Sequence, residues 1–457
     1  MMAPLSLNEI AQVTGGQVHG SNVQVASLST DTRTIERNSA YLALVGERFD
    51  GHDFVSAAAE QGAAAAIVSR QVSQDIPQVV VDETRLALGQ IAALNRNAFK
   101  GPVIALTGSC GKTTCKEMMS AILAQGHNVL ATSGNLNNEI GVPQTLLRLQ
   151  PEHELAIIEM GAAKAGDIAY LCEFAHPDVT LITNVAPAHL EGFGSLQAVA
   201  DTKGEIYRAL SESGTAVVNC DDPFAGQWLA ETRAGRIITV SLEEGDKDFY
   251  ASGIQPDTEG TRFVLHSPDG DIQVVLPVLG VAMVSNALLS AAAAWAVGAE
   301  LPTIAKGLAG VQPVKGRLYM HALGQIRLID DSYNANPASV RAAIDVLSSF
   351  EGRRVLVLGD MAELGPASEE MHREVGEYAV KAGIERVITC GKLSRFTAEA
   401  AGVNAVHYAN RETLIKTIDE QLLPGDTVLV KGSRSAGMEV VVQVVADNQA
   451  RRGNVPC

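Results

Sequence analysis

The chain has 457 residues, 46% of them apolar and 19% charged, and a formal net charge of −17 at pH 7. That length exceeds what one hydrophobic core organises, so two to four domains of ordinary globular composition are expected. The acidic balance argues against a nucleic-acid partner, which calls for basic stripes, and residues 1–10 lack the basic and apolar regions of an export signal. No apolar run long enough to cross a bilayer stands in the sequence, so a cytoplasmic protein without membrane insertion is expected. The six cysteines, at 110, 115, 172, 220, 390 and 457, have no metal-ligand spacing and read as free thiols.

In chain order, apolar spacing predicts a helix at 6–13, a strand at 40–45, a helix at 52–61 and strands at 63–68 and 78–81. These form a small α/β domain over residues 1–82. An amphipathic helix at 84–99, with Leu86, Leu88, Ile91, Leu94 and Phe99 near helical spacing, leads into a second domain, 83–313. There, strands at 103–106, 155–158, 179–183 and 215–219 alternate with helical segments. That alternation predicts a mostly parallel sheet, with ligands beyond the carboxyl ends of its strands. Residues 248–277 alternate polar and apolar around Ser267-Pro-Asp-Gly270 and read as an antiparallel hairpin, followed by an alanine-rich helix at 281–297. Strands at 326–329, 354–358, 386–389 and 427–430 alternate with helices again, giving an open third sheet over 314–457. The expected fold class is therefore α/β in three domains.

The chemistry starts at 107–114, Thr-Gly-Ser-Cys-Gly-Lys-Thr-Thr, directly after the apolar run 102–106. A strand, a glycine turn and a helix start carrying a lysine and a hydroxyl suit a nucleoside triphosphate. Gly108, Ser109, Cys110 and Gly111 can turn backbone N–H groups onto phosphate oxygens at the positive end of the helix. Lys112 can reach the β- and γ-phosphates, and Thr113, followed by Thr114, can hold Mg²⁺. The pattern is the shorter G-x-x-G-K-T-T, because Leu106 stands where the first glycine of the longer phosphate-loop pattern would fall. Glu159 closes a strand beside this loop and is a candidate ligand for the same ion. His189, a lone histidine in a loop of small residues, and Lys203 in Lys203-Gly-Glu-Ile206 carry little taken singly.

Taken together, these motifs, with Glu159-Met-Gly161, Asn184, Arg317 in Lys315-Gly-Arg-Leu318 and Asp331, resemble the Mur ligases, which build the peptide stem of peptidoglycan. The order of the motifs matches across the whole chain. Asp330-Asp-Ser-Tyr-Asn-Ala-Asn-Pro337, Leu358-Gly-Asp-Met-Ala-Glu-Leu-Gly365 with Ser368 and His372, and Val430-Lys-Gly-Ser-Arg-Ser435 are similar to one branch of that family. So is the loop Asn135-Leu-Asn-Asn-Glu-Ile-Gly-Val-Pro143. That branch adds D-alanyl-D-alanine to UDP-N-acetylmuramoyl-tripeptide.

The resemblance implies an ATP-dependent ligase of cell wall biogenesis, acting as a monomer. Its small N-terminal domain would bind the UDP-substrate, its central P-loop domain ATP, and a Rossmann-like C-terminal domain would complete the site. ATP would convert the tripeptide carboxylate to an acyl phosphate, which the dipeptide amine then attacks. Lys112, Glu159, His189 and Lys203 would be catalytic. The phosphate loop 108–114 would bind ATP together with Asn286, Arg317, Asp331, Tyr333 and Asn336, and Thr32, Arg33, Arg48, Asn137 and Asn138 would bind the substrate. Two Mg²⁺ ions are implied: one on Thr113 and Glu159, the other on His189 and a Lys203 carbamoylated by CO₂.

The chain departs from the family at Gly280-Val-Ala-Met-Val-Ser-Asn286, where Gly-x-His-Asn-x-x-Asn is usual. Ala282 and Met283 thus replace a histidine and an asparagine, and adenine recognition loses at least one polar contact. The alternatives are a folylpolyglutamate synthetase-like ligase, which the third-domain motifs oppose, and a nucleotide-gated binding protein without ligation, which the lost pair motivates.

Overall fold

A computed structural model describes residues 4–46, 48–187, 190–243, 245–257 and 260–453. The first helix, Leu7–Thr14, begins at a capping box in which Ser6 and Glu9 bond each other's backbone, and it ends at Gly15 in the left-handed conformation. Five short strands after it form one sheet: Gln17–His19 (β1), Ser27–Ser29 (β2), Ser39–Leu42 (β3), Ala65–Val68 (β4) and Gln78–Val80 (β5). They lie in the order β1-β5-β4-β3-β2, parallel except for the β1–β5 pair. The strand expected at 40–45 stops at Leu42. Beyond it the chain folds back on itself, with an isolated bridge between Val45 and Asp50. The helix expected at 52–61 begins as a tighter 3₁₀ turn, Gly51–Phe54, because the Asp50 carboxylate accepts from His52 N and draws the first turn in.

Helix Thr84–Ala98 (α1) joins this sheet to the next. Its Leu88 and Ile91 are fully buried in one core that runs from the first sheet to a face of the central one. Buried Arg96 donates to the carbonyls of Ala175 and His176 and to Asp178, so the helix is fixed to the central layer by side chain as well as by packing. The central sheet holds Val103–Thr107 (β6), Val129–Ala131 (β7), Leu155–Glu159 (β8), Val179–Ile182 (β9), Thr215–Asn219 (β10) and Arg236–Val240 (β11). All are parallel, in the order β11-β10-β9-β6-β8-β7. Lys112–Leu123 (α2) follows β6, and Leu196–Arg208 (α3) precedes β10.

The segment read as a hairpin is a three-stranded antiparallel sheet: Tyr250–Pro256 (β12), Thr261–Ser267 (β13) and Gly270–Leu276 (β14). Asp257 and Gly260 close a second turn there, each bonded to the other. Helix Val281–Ala296 (α4) is apolar nearly all round and buried accordingly.

The third sheet has the order β15-β16-β20-β17-β18-β19, formed by Tyr319–Leu323 (β15), Ile326–Asp331 (β16), Arg354–Gly359 (β17), Arg386–Cys390 (β18), Ala405–Tyr408 (β19) and Thr427–Lys431 (β20). Only the edge pair β15–β16 is antiparallel. Helix Pro337–Ser348 (α5) leaves β16 toward β17. Among the described residues, no helix is long and apolar enough to cross a membrane.

Candidate active site

Strand β6 is buried at every position and is flanked by β8 and β9, so connections leave it toward both edges of the sheet. The crevice at its carboxyl end is a topological switch point, where open α/β sheets bind ligands. Gly108 and Gly111, with φ of 150° and 82°, turn the chain from strand to helix there. A side chain on Gly108 would overlap Thr183 Oγ1, and one on Gly111 would come within 2.6 Å of Asn286 Oδ1. Only glycine fits either position.

The end of β9 holds the loop. Ser109 N donates to the Asn184 carbonyl at 2.9 Å and Cys110 N to Asn184 Oδ1 at 3.0 Å. Thr183 Oγ1 and Asn184 Nδ2 donate to the Cys110 carbonyl, while the Ser109 hydroxyl exchanges bonds with the backbone of Ala186. Thr183 and Asn184 thus shape the phosphate loop from about 75 residues away in sequence. The family resemblance points to Asn184, whereas nothing in the sequence marks Thr183 as a partner of the loop.

At the start of α2, Lys112 Nζ donates to the Gly108 carbonyl at 2.6 Å. Burial lowers its pKa, and the nearby Arg317 acts in the same direction, against the pull of Glu159. Thr113 Oγ1 donates to Glu159 Oε2 at 2.9 Å, and Asn137 Nδ2 donates to the other carboxylate oxygen at 2.8 Å. Arg317, from the third domain, donates to Thr113 Oγ1 at 2.8 Å and lies over the Tyr333 ring at 4.4 Å. Asp331 accepts from Leu318 N and, at 2.6 Å, from Lys431 Nζ. Burial pushes the Asp331 carboxyl above its ordinary value, and the Lys431 ammonium opposes that. Asn336 caps α5 through Ser339 N, and its Nδ2 reaches Cys110 Sγ at 3.0 Å.

These groups surround a chamber of about 820 Å³ between the central and third domains. Its lining includes Ala282, Met283 and Asn286 of α4 and Ala342 and Val346 of α5. Asn286 turns its amide N–H toward the Met283 thioether, at 3.7 Å. Asn137, Asn138, Tyr170 and Lys203 line the chamber as well. Asn138 Oδ1 accepts from Gly141 N at 2.9 Å and so starts the helix Gly141–Leu146. Lys203, on α3, is only 4% exposed. Its burial, with the Lys112 charge second, brings its pKa down from 10.5 to about 7.

Not every expected site residue gathers here. Thr32, Arg33 and Arg48 line no part of the chamber. Arg33 makes a bidentate pair with Asp31, which holds the Asp31 carboxyl down at about 2, and Arg48 is exposed. The first domain does bond the central one, through Gln144 Nε2 on Thr30 Oγ1 at 2.9 Å. His189 and Cys457 lie outside the described residues. Among the described residues, no group of three His, Cys, Asp or Glu is placed to hold a metal ion. The oxygen donors Thr113 and Glu159 instead fit a Mg²⁺ that completes its shell with phosphate oxygens and water, the usual arrangement for that ion.

The UDP-N-acetylmuramoyl-tripeptide--D-alanyl-D-alanine ligase of Escherichia coli (strain K12) is 44% identical over 453 residues, which cover 98% of this chain and 99% of that protein. The chain belongs to the Mur ligase family. Family models match it in three stretches: the Mur ligase family catalytic domain over 24–96, the Mur ligase middle domain over 106–294 and the glutamate ligase domain over 316–434. The Bacillus subtilis (strain 168) ligase of the same name is 34% identical, with 97% of this chain and 98% of that protein covered. Among solved structures, MurF from Acinetobacter baumannii superposes with a TM-score of 0.92 at 35% identity, covering 98% of this chain and 99% of the other. MurF from Thermotoga maritima in complex with ADP gives 0.85 at 28% identity, covering 93% and 98%. Folylpolyglutamate synthase from Mycobacterium tuberculosis, at 18% identity and a TM-score of 0.61, shares the fold alone.

Proposed function

We infer that this Mur ligase uses ATP to join the terminal carboxylate of UDP-N-acetylmuramoyl-tripeptide to the amine of D-alanyl-D-alanine, a step of peptidoglycan synthesis. The observation that carries the reading is the meeting of Lys112, Thr113, Glu159 and Arg317 at one end of β6, in a chain that matches ligases of that specificity along its whole length. Amide formation in water is uphill, so the carboxylate must first be activated. Transferring the γ-phosphoryl group to it brings two anions together, and cations held in the chamber offset that repulsion.

In this reading Lys112 and Arg317 face the phosphates, and Thr113 and Glu159 would hold a Mg²⁺, which would offset charge on the triphosphate. The N–H groups of residues 108–114 cradle the phosphates, while Asn286, Tyr333 and Asn336 border the nucleoside, and Asp331 fixes the wall through Lys431. Residues 1–82 take the uridine diphosphate end by way of Thr32, Arg33 and Arg48. Residues 83–313 bind ATP and 314–457 close over it, with Asn137 and Asn138 between the two substrates. A second Mg²⁺ on His189 and a carbamoylated Lys203 fits the chemistry of that lysine. A buried amine with a pKa near 7 is neutral enough at physiological pH to add CO₂, and the carbamate replaces a cation beside Lys112 with an anion. The free thiols of Cys110, Cys115, Cys172, Cys220 and Cys390 suit a reducing compartment, in keeping with work in the cytoplasm.

Phosphate release tests the reading. With ATP, Mg²⁺ and UDP-N-acetylmuramoyl-tripeptide, sustained release should require D-alanyl-D-alanine and match pentapeptide product one for one. Release driven by a folate and glutamate would favour the folylpolyglutamate branch instead, and nucleotide binding with no product would leave a binding protein.

A further inference from the structure

Helix α2 carries a second lysine, one turn beyond Lys112, that the proposed chemistry does not use. Lys116 is 3% exposed and sits beside buried Met118 and Met119, where an apolar side chain of equal length would pack without the desolvation of an ammonium. Its Nζ donates to the carbonyl of Thr132 at 2.7 Å and meets Glu117 Oε1 at 2.8 Å. Thr132 stands where the chain leaves β7, a strand of three residues paired only with β8, and enters the loop bearing Asn135, Asn137 and Asn138. Thr132 is 2% exposed; its N–H donates to Ile157 O at 3.0 Å, and its hydroxyl accepts from Glu159 N at 2.9 Å. Asn137 closes the circuit, with Nδ2 on Glu159 Oε1 and its carbonyl on Gly161 N.

We propose that Lys116 is a positioning residue for the metal-bearing carboxylate. By holding the Thr132 carbonyl it fixes the point from which one hydroxyl sets the backbone of Glu159 and one loop sets its side chain. The proposal rests on the reading of Thr113 and Glu159 as the Mg²⁺ site. A weak edge strand cannot itself hold that departure point, and an ammonium donor on the phosphate-loop helix ties Glu159 to the helix that presents Thr113. Both oxygen donors then move as one unit, so the distance between them stays matched to the ion.

The test is the dependence on Mg²⁺ concentration of the ligation rate, and of the rise in melting temperature that ATP gives without the peptide substrates, in Lys116→Met and in Thr132→Val, which breaks the next bond along. Met118→Ala, a packing loss on the same helix, is the control. The Mg²⁺ concentration for half-maximal effect should rise on the order of tenfold in both variants, as for lost outer-shell partners of metal ligands. KM for D-alanyl-D-alanine should stay unchanged, Lys116→Arg should restore much of the Mg²⁺ response, and Met118→Ala should lower thermal stability without shifting it. If Glu159→Gln shifts the response while Lys116→Met and Thr132→Val do not, or if Met118→Ala shifts it equally, Lys116 is merely structural and the proposal is wrong. If Glu159→Gln leaves the response unchanged, the metal reading itself fails and the proposal goes with it.

Discussion

On the central-domain wall of the chamber, eight consecutive residues, 107–114, deliver the phosphate loop, while Glu159 ends one and Thr183 directly follows the other of the two strands that flank β6. On the third-domain wall, Arg317, Asp331, Tyr333 and Asn336 precede α5, and Lys431 arrives a hundred residues later from β20. The first wall is preorganised by two glycines and by hydrogen bonds to neighbouring strand ends. The second depends on a buried ion pair, Lys431–Asp331 at 2.6 Å, and reaches the first through Arg317 on Thr113 and Asn336 on Cys110. Charge is therefore used differently on the two sides. Among the described residues no carboxylate is bonded to Lys112, which is available to a ligand, whereas Lys431 serves the fold.

Replacing each lysine breaks that comparison most directly. Lys112→Ala should lower the ligation rate on the order of a thousandfold, as expected for a cation aimed at transition-state charge. Its thermal stability should hold or rise, because only a bond to one carbonyl is lost. Lys431→Met should do the reverse. It strands the Asp331 carboxylate in the interior and should destabilise the third domain by about 3–5 kcal/mol, read by calorimetry. Adding Asp331→Asn should recover much of that loss. Equal stability losses in the two single variants would erase the distinction.

Lys203 sharpens the contrast within the central wall. Its pKa is lowered from 10.5 to about 7, so the ammonium gives way to the amine as pH rises through neutrality, and only the amine adds CO₂. In bicarbonate buffer the rate should climb between about pH 6 and pH 8 and then level off, with the limb absent in Lys203→Ala. A limb centred near 10 would mean that the lysine is not perturbed. The smallest effect is expected at the base end. Met283→Asn restores a polar group where the chamber wall is now a thioether and should tighten ATP binding by a few-fold, about 1 kcal/mol for one hydrogen bond. Calorimetric titration that finds no change would show that the base does not meet this position.

The contiguous wall was legible in the sequence and the dispersed one only through family resemblance. Strand, glycine turn and lysine sit together at 102–114, and the β/α alternation located four of the six central strands. The two not found, β7 and β11, are edge strands; one has three residues and the other exposes Arg236 and Ile237, so neither shows the continuous apolar run of a buried strand. The second turn of the antiparallel sheet was overlooked because Asp257 and Gly260 flank it less densely than the Pro-Asp-Gly turn at 268–270. Lys431 and Lys116 were invisible as partners, since nothing local distinguishes a lysine that bonds Asp331 or Thr132 from one in solvent. Only the strand register, Asp331 beside Lys431, brings the first pair together.

The central claim is that the chamber transfers a phosphoryl group to the tripeptide carboxylate before the dipeptide attacks. Oxygen-18 placed in that carboxylate tests it directly. One labelled oxygen should appear in inorganic phosphate for each peptide bond formed, and the product should form only when ATP, UDP-N-acetylmuramoyl-tripeptide and D-alanyl-D-alanine are all present. Product formation with unlabelled phosphate would contradict the account, because the carboxylate would then never have been phosphorylated.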